Sequence, residues 1–319
     1  MSDEVFRIED FGVDLCALAR AGRLDPVAGR RCLIARIAQV LARKSKRNPL
    51  LLGEPGVGKS ALVEGLAQLM VSDEAPLHLR GLRIFSLHLG SIVAGTAYRG
   101  DFEQRLRGLI GELSRPGSGR ILFVDEIHLL DRAGRSEGGL DAANLLKPLL
   151  ARGALACIGA TTSDEWACMA ARDPALARRF LPIPVPEPSL AEALEMLRAL
   201  RPRLEQHHGV EIPDEALEWA MAPSSSATGR LPDRAIDRLD GACACLRLRA
   251  GTAALPEEAL ALASLKSALH RFDLGEVARL RHRVLPGLRR ECALKLDTQS
   301  LQMQDADQGG DDGDKGGGE

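Results

Sequence analysis

Gly53-Glu54-Pro55-Gly56-Val57-Gly58-Lys59-Ser60 is the stretch from which the architecture follows. It fits G-x-x-x-x-G-K-[ST], the pattern of a phosphate-cradling loop. Gly56 and Gly58 let the backbone turn its N–H groups inward with no Cβ in the way. Lys59 is long enough to reach β- and γ-phosphates, and Ser60 brings a hydroxyl suited to Mg²⁺. The flanks agree. Pro49-Leu50-Leu51-Leu52 is a short apolar run that suits a buried strand. Ala61-Leu62-Val63-Glu64-Gly65-Leu66-Ala67-Gln68-Leu69-Met70 has helical spacing, so the loop feeds a helix N-terminus that favours anions.

Further along, Ile121-Leu122-Phe123-Val124-Asp125-Glu126 is an apolar strand ending in two carboxylates. In a nucleotide-binding α/β fold such a strand delivers its acids beside the phosphates. Asp125 is expected to support Mg²⁺ through water, and Glu126 to orient and deprotonate the attacking water. An Asp-Glu pair is otherwise often only a helix cap; the phosphate loop upstream gives it meaning here. Leu82 to Leu89 alternates like a strand, and Asp101 reads as the N-cap of a helix through Leu113. Leu155 to Ala160 is another buried-type strand, and Thr161-Thr162 follows it. A hydroxyl there suits a γ-phosphate, or else bonds local backbone. Alternating strands and helices predict a doubly wound parallel sheet.

Upstream of the loop, residues 1–28 read as a lead-in with a short helical patch at 15–19. A helix is expected over 31–43, ending in the basic run Arg43-Lys44-Ser45-Lys46-Arg47. Downstream, 181–188 is Pro-rich and reads as an extended link. The domain boundary is placed near Glu187. Beyond it only amphipathic helices are expected, forming a small helical domain. The last residues, 304–319, are Gly- and Asp-rich and cannot bury a core.

The 319 residues carry a net charge of -2, which speaks against a dedicated nucleic-acid or anionic-membrane binder. Aromatic residues are only 3%, so the core must be aliphatic. The 7 cysteines follow no disulfide or zinc spacing, which fits a reducing cytoplasm. The N-terminus has no apolar signal core, and no apolar run is long enough to span a bilayer.

These motifs together resemble the AAA+ superfamily, and more closely the first ATPase module of the Clp-type ring chaperones and unfoldases (the ClpA, ClpB and ClpC group). The likeness runs from about Phe11 to Arg249. Gly53 to Ser60 matches Walker A, and Ile121 to His128 matches Walker B with Glu126 as its catalytic glutamate. Asp25-Pro26-Val27 resembles the segment whose Pro-Val part lies against adenine. Gly159-Ala160-Thr161-Thr162 resembles the sensor-1 segment, with Thr162 as the sensor. Ala177-Arg178-Arg179-Phe180 resembles the arginine-finger segment, which acts on the neighbouring subunit's ATP. Ala94-Gly95-Thr96-Ala97-Tyr98-Arg99-Gly100 resembles the axial pore loop whose aromatic grips a threaded polypeptide, although Ala97 stands where the family usually has Lys. Leu231-Pro232-Asp233-Arg234-Ala235-Ile236-Asp237 resembles the lid segment near sensor 2, with Arg234 where Lys is common. Asp273 to Arg281 with Leu285-Pro286 resembles the final helix of the family's middle coiled coil.

The resemblance implies a P-loop ATPase domain over 29–187 and a helical lid over 188–251. A coiled-coil remnant over 252–300 and a disordered tail over 301–319 complete the expected order. It implies ATP and Mg²⁺ as cofactors, a self-assembled ring, expected to be a hexamer, and a protein substrate. No nucleic-acid or membrane partner is expected. A different class of reading is a nucleotide-gated adaptor that joins a full-length Clp-type ATPase and switches without threading. A clamp- or helicase-loading protein shares the fold, but the charge and the Tyr98 loop argue against it.

Overall fold

The computed structural model describes residues 8–88, 91, 99–115, 117–131, 150, 155–222 and 229–250. Tyr98 and the loop before it, most of the helix expected over 142–150, and residues 251–319 lie outside the described residues. Two compact units are present: residues 1–204 with 225–238, and residues 205–224 with 239–319.

The first unit is built on a six-stranded sheet. Its strands are β1 (Gly12–Asp14), β2 (Asn48–Leu52), β3 (Arg83–Leu87), β4 (Arg120–Val124), β5 (Ala156–Thr161) and β6 (Phe180–Pro184). The order is β1-β3-β4-β5-β2-β6. All pairings are parallel except the edge pair β1–β3. β1 is a short antiparallel strand inside what the sequence presents as a lead-in.

Alternation along each strand splits the core in two, one cluster per face. Leu50, Leu122 and Val124 belong to one, with Leu109, Leu113, Met169 and Leu176 packed on them. Leu51, Ile121 and Phe123 belong to the other, with Ile37, Leu62, Val63 and Leu66. Helices α1 (Leu15–Arg20), α2 (Arg31–Leu41) and α3 (Lys59–Val71) therefore cover one face. The other is covered by α4 (Arg99–Leu113), α5 (Ser163–Arg172) and the short α6 (Pro174–Ala177). This is the doubly wound arrangement. Near-continuous apolar runs in the central strands are what two covered faces demand.

Three local expectations are corrected. Helix α4 starts at Arg99, so Asp101 is inside its first turn rather than at its cap. Helix α2 stops at Leu41 with Ala42 as its C-cap, so the 43–47 basic run lies beyond its last turn. The Pro-rich stretch from Leu181 is not a free link: Phe180–Pro184 is the edge strand β6, paired in parallel with β2. The spacing of its prolines permits this. In an edge strand alternate N–H groups face the neighbour and the open side. The Val185 N–H donates to the Leu52 carbonyl at 2.7 Å, and so fixes the odd positions as the ones facing β2. Pro182 and Pro184 fall on the open side, where no donor is needed.

Asn48 fastens the sheet where β2 begins. It is 3% exposed. Its Oδ1 accepts from the Cys157 N–H at 3.0 Å, and its Nδ2 donates to the Arg179 carbonyl at 3.1 Å. Asn48→Ala is expected to leave the buried Cys157 N–H without its acceptor, at about 1–3 kcal/mol. Denaturant unfolding should show the loss as a lower midpoint at unchanged slope.

The second unit contains the C-terminal end of α7 (Leu190–His208), all of α8 (Asp214–Met221) and most of α9 (Asp233–Ala250). Leu217, Ala220, Leu239 and Cys243 form its buried interior. His208 Nε2 and Asp240 Oδ1 are 2.8 Å apart, and the Ile212 N–H donates to Glu205 at 2.8 Å. Burial, with Asp240 and Glu205 nearby, pushes the Cys243 thiol up to about 11.

Candidate nucleotide site

Three strands of the first unit end on the same side of the sheet, and each delivers part of one site. The order turns at β2, which lies between β5 and β6 while the chain's next strand, β3, is on the far side. Ligands bind at such reversals, outside the carboxyl ends of the strands. The phosphate loop follows β2, Asp125 and Glu126 follow β4, and Thr161 and Thr162 end β5. All of these border a cavity of about 740 Å³, whose walls include Pro55, Gly56, Gly58, Lys59, Ser60, Asp125, Glu126, Thr161, Thr162 and Glu165.

Gly56 and Gly58 hold φ of 79° and 90°, the left-handed region that only glycine enters freely. A Cβ on Gly56 would also stand 2.9 Å from the Cβ of Asp233. Gly58 directly precedes α3, whose first residues are Lys59 and Ser60. The Lys59 ammonium donates to the Gly53 and Glu54 carbonyls at 2.8 and 2.9 Å, folded back on its own loop. The Ser60 hydroxyl donates to Asp125 Oδ2. Asp125 Oδ1 accepts from the Glu126 N–H at 3.0 Å.

Glu126 has φ 50°, uncommon for a residue with a side chain. Such strain concentrates at working sites. Its carboxylate takes no hydrogen bond among the described residues and borders the cavity.

Thr162 is the N-cap of α5 in a complete capping box with Glu165. Glu165 Oε2 accepts from the Thr162 hydroxyl at 2.8 Å, the Thr162 N–H at 3.1 Å and the Thr161 hydroxyl at 3.0 Å. His128 Nδ1 lies 3.2 Å from the same oxygen. Partial burial disfavours the Glu165 charge, but these donors outweigh it and hold its pKa below the ordinary value. The Thr162 hydroxyl thus bonds locally, accepting from the Glu165 N–H at 3.3 Å, and it also borders the cavity.

Asp233 and its neighbours are less visible in the sequence. Pro232, Asp233 and Ile236 also border the cavity, and the Asp233 N–H donates to the Gly56 carbonyl at 3.3 Å. Burial, with Asp237 nearby, raises the Asp233 pKa. Glu187 holds this segment in place. Its carboxylate accepts from the Leu231 N–H at 2.9 Å and from Arg230 at 3.1 Å. Arg234 borders neither this cavity nor the smaller one beside it. It instead lies close enough to Glu187 to help lower that carboxyl's pKa, after the Leu231 N–H and Arg230. The structure thus puts Asp233, not the expected Arg234, at the cavity wall.

The smaller cavity, about 150 Å³, is walled by Pro26, Val27, Ala28, Val57, Leu62, Met196 and Leu200. Asp25, Arg30 and Glu64 are also on its wall, and the mainly aliphatic remainder suits a flat heteroaromatic ring. It shares Gly58, Ala61, Pro232 and Ile236 with the larger one. Arg30, 6% exposed, donates to the Pro186 carbonyl at 2.7 Å and lies 3.9 Å from Glu192.

Arg178 and Arg179 stand at the C-terminal end of α6, both exposed, and neither borders either of these two cavities. Arg99 and Gly100 open α4, while Tyr98 lies outside the described residues. Among the described residues no three His, Cys, Asp or Glu side chains gather into a metal cage. Mg²⁺ in phosphate sites takes only one or two protein oxygens beside the phosphates, and the Ser60–Asp125 pair is of that kind. No helix among the described residues is long and apolar enough to cross a membrane.

Against this geometry the likenesses to known proteins can be set. The ATPase family associated with various cellular activities (AAA) matches residues 49–183, and the AAA lid domain matches 189–274. The chain is 51% identical over 254 residues to the chloroplastic chaperone protein ClpC2 of Arabidopsis thaliana, covering 79% of this chain and 26% of that protein. It is 49% identical over 244 residues to heat shock protein 100 of Trypanosoma brucei brucei, covering 76% and 28%. Among solved structures, the S. cerevisiae Hsp104–ADP complex aligns with a TM-score of 0.73 at 38% identity, over 90% of this chain and 49% of that one. The S. cerevisiae Hsp104–casein complex aligns with a TM-score of 0.68 at 43% identity, over 76% and 41%. The chain therefore spans about a quarter of the length of these curated relatives.

Proposed function

Because the chain belongs to the AAA ATPase family, with an ATPase module and lid of the Clp and Hsp100 kind, we propose that it hydrolyses ATP in a self-assembled ring and uses the turnover to remodel or unfold protein substrates. The observation that carries this reading is the convergence of Lys59, Ser60, Asp125, Glu126 and Thr162 on one cavity at the carboxyl ends of β2, β4 and β5.

In this reading residues 29–187 are the ATPase domain and 188–251 the lid. The loop from Gly53 to Gly58 presents its N–H groups to the phosphates, and Lys59 leaves its two carbonyls to pair with them. Ser60 and Asp125 are the groups that would hold Mg²⁺, which neutralises charge on the phosphates when bound. Glu126 takes a proton from the attacking water. The Thr162 hydroxyl turns from Glu165 to report the γ-phosphate. Arg178 and Arg179 reach the site of the adjoining copy, so the ring, expected to be a hexamer, completes each site.

The Hsp104 relative has been captured with casein. For this chain the substrate class is an unfolded or loosely folded polypeptide, gripped by Tyr98 with Arg99 and Gly100 beside it. Tyr98→Ala is expected to keep ATP turnover within about twofold while abolishing unfolding of a fluorescently tagged substrate, since a gripping ring adds nothing to the chemistry of Glu126. Unchanged unfolding would instead favour a nucleotide-gated adaptor joined to a full-length Clp-type ATPase.

A further inference from the structure

We propose that Glu64 reads the nucleotide base, accepting a hydrogen bond from the exocyclic amino group of adenine and so setting the preference for ATP over 6-oxopurine nucleotides. This deepens the ATPase reading and rests on it. Three observations carry the assignment.

The first is position. The two cavities meet at Gly58, Ala61, Pro232 and Ile236. Lys59 and Ser60 border only the larger, Glu64 only the smaller. With phosphates at Lys59, the ribose falls at the shared walls and the base in the smaller cavity. Glu64 is five residues beyond Lys59 on α3, roughly 7.5 Å along the axis at the rise of an α-helix. That is the base end of a nucleotide, not its phosphate end.

The second is the closeness of the walls. A Cβ on Gly65 would stand 3.0 Å from the Cβ of Val27 and 2.8 Å from Ile34 Cδ1. The segment carrying Val27 is thus pressed against α3 right beside Glu64. Gln68 Nε2 fixes that segment by donating to the Asp25 carbonyl at 2.6 Å. Val27, Leu62 and Glu64 all wall this slot, so a base held between the aliphatic groups comes within reach of the carboxylate.

The third is the state of the carboxylate. Among the described residues nothing donates a hydrogen bond to Glu64, although it is half-buried in a mainly aliphatic wall. The other carboxylate of that wall, Asp25, has Arg203 at 3.9 Å. Burial, and then the charge of Asp25, push the Glu64 pKa up. A carboxylate on a mainly aliphatic wall, with no donor among the described residues, offers the ligand a charged acceptor, and a hydrogen bond to it is stronger than one between neutral groups. The 6-amino group of adenine is such a donor. The 6-oxo group of hypoxanthine or guanine is an acceptor, and would face the carboxylate lone pairs.

The test measures equilibrium binding of ATP and of ITP, which differ at the 6-position, to the full chain and to Glu64→Gln and Glu64→Leu. The native chain should prefer ATP. Glu64→Leu should lower the ATP:ITP affinity ratio by about tenfold or more, the size of one lost hydrogen bond to a charged group. Glu64→Gln is nearly isosteric and keeps an acceptor while gaining a donor, so it should improve ITP binding and bring the ratio towards one. Equal losses for both nucleotides, or an unchanged ratio in both variants, would overturn the assignment. Because binding is read, the outcome is separable from the parent reading. A native chain that binds and discriminates but never releases phosphate sinks the ATPase reading and leaves the base assignment standing. Normal turnover without discrimination does the reverse.

Discussion

A chain with both Arg178→Ala and Arg179→Ala is expected to release phosphate about 10³–10⁵-fold more slowly than the native protein, the loss typical of a missing arginine finger. Nucleotide binding should survive, because neither arginine borders the phosphate cavity or the smaller one beside it. Two exposed guanidinium groups at the end of α6, with Asn48 holding the Arg179 carbonyl, have little to do for their own ATP. The decisive measurement is mixing. A Lys59→Ala chain has fingers but no phosphate pocket; the double-arginine variant has the reverse. Combined, they should recover a part of native turnover, since some neighbours then pair a sound pocket with sound fingers. If mixing restores nothing while both variants still assemble, the arginines are structural and the site is complete within one copy.

Glu126→Gln is expected to cut turnover by about 10²–10⁴-fold, the usual contribution of a positioned general base. ATP should still bind, since the phosphate loop, Lys59 and Ser60 are untouched. The backbone argues for this role as much as the side chain. At φ 50° the residue turns out of the strand direction, and its N–H is held by Asp125 Oδ1. The carboxylate is left at the cavity wall with no donor from the described residues, free to take a proton from water. The amide of Gln keeps the shape and loses the basicity. Single-turnover hydrolysis set beside ATP affinity separates the two effects, and native-rate hydrolysis would remove Glu126 from the chemistry.

Much of this site was legible because its chemistry is local in sequence. The phosphate loop joins a strand and a helix directly, and the Asp125–Glu126 pair ends a strand, so spacing alone locates both. Gly58 had to be glycine for a backbone reason that its φ of 90° makes plain. What was not legible depends on partners distant in the chain. Asp233 meets Gly56 in a segment that Glu187 holds through the Leu231 N–H. Arg234, expected at the nucleotide, follows Asp233 by one residue, a helix turn of about 100°, and borders neither of the two cavities. His128 and Glu165 meet through Thr161, across a strand that periodicity treats as plain core. Strand β6 reads in the sequence as an extended link, because nothing local to its prolines tells which of their sides faces a neighbour.

Those prolines have a consequence for how the molecule behaves in company. An uncovered sheet margin with a full row of amide donors is a template onto which any extended chain can zip. Here Pro182 and Pro184 delete two donors from that margin, on the side turned away from β2. A protein proposed to handle polypeptides in extended form has particular reason to keep its own sheet from capturing them, and this spacing does so without loosening a single bond to β2.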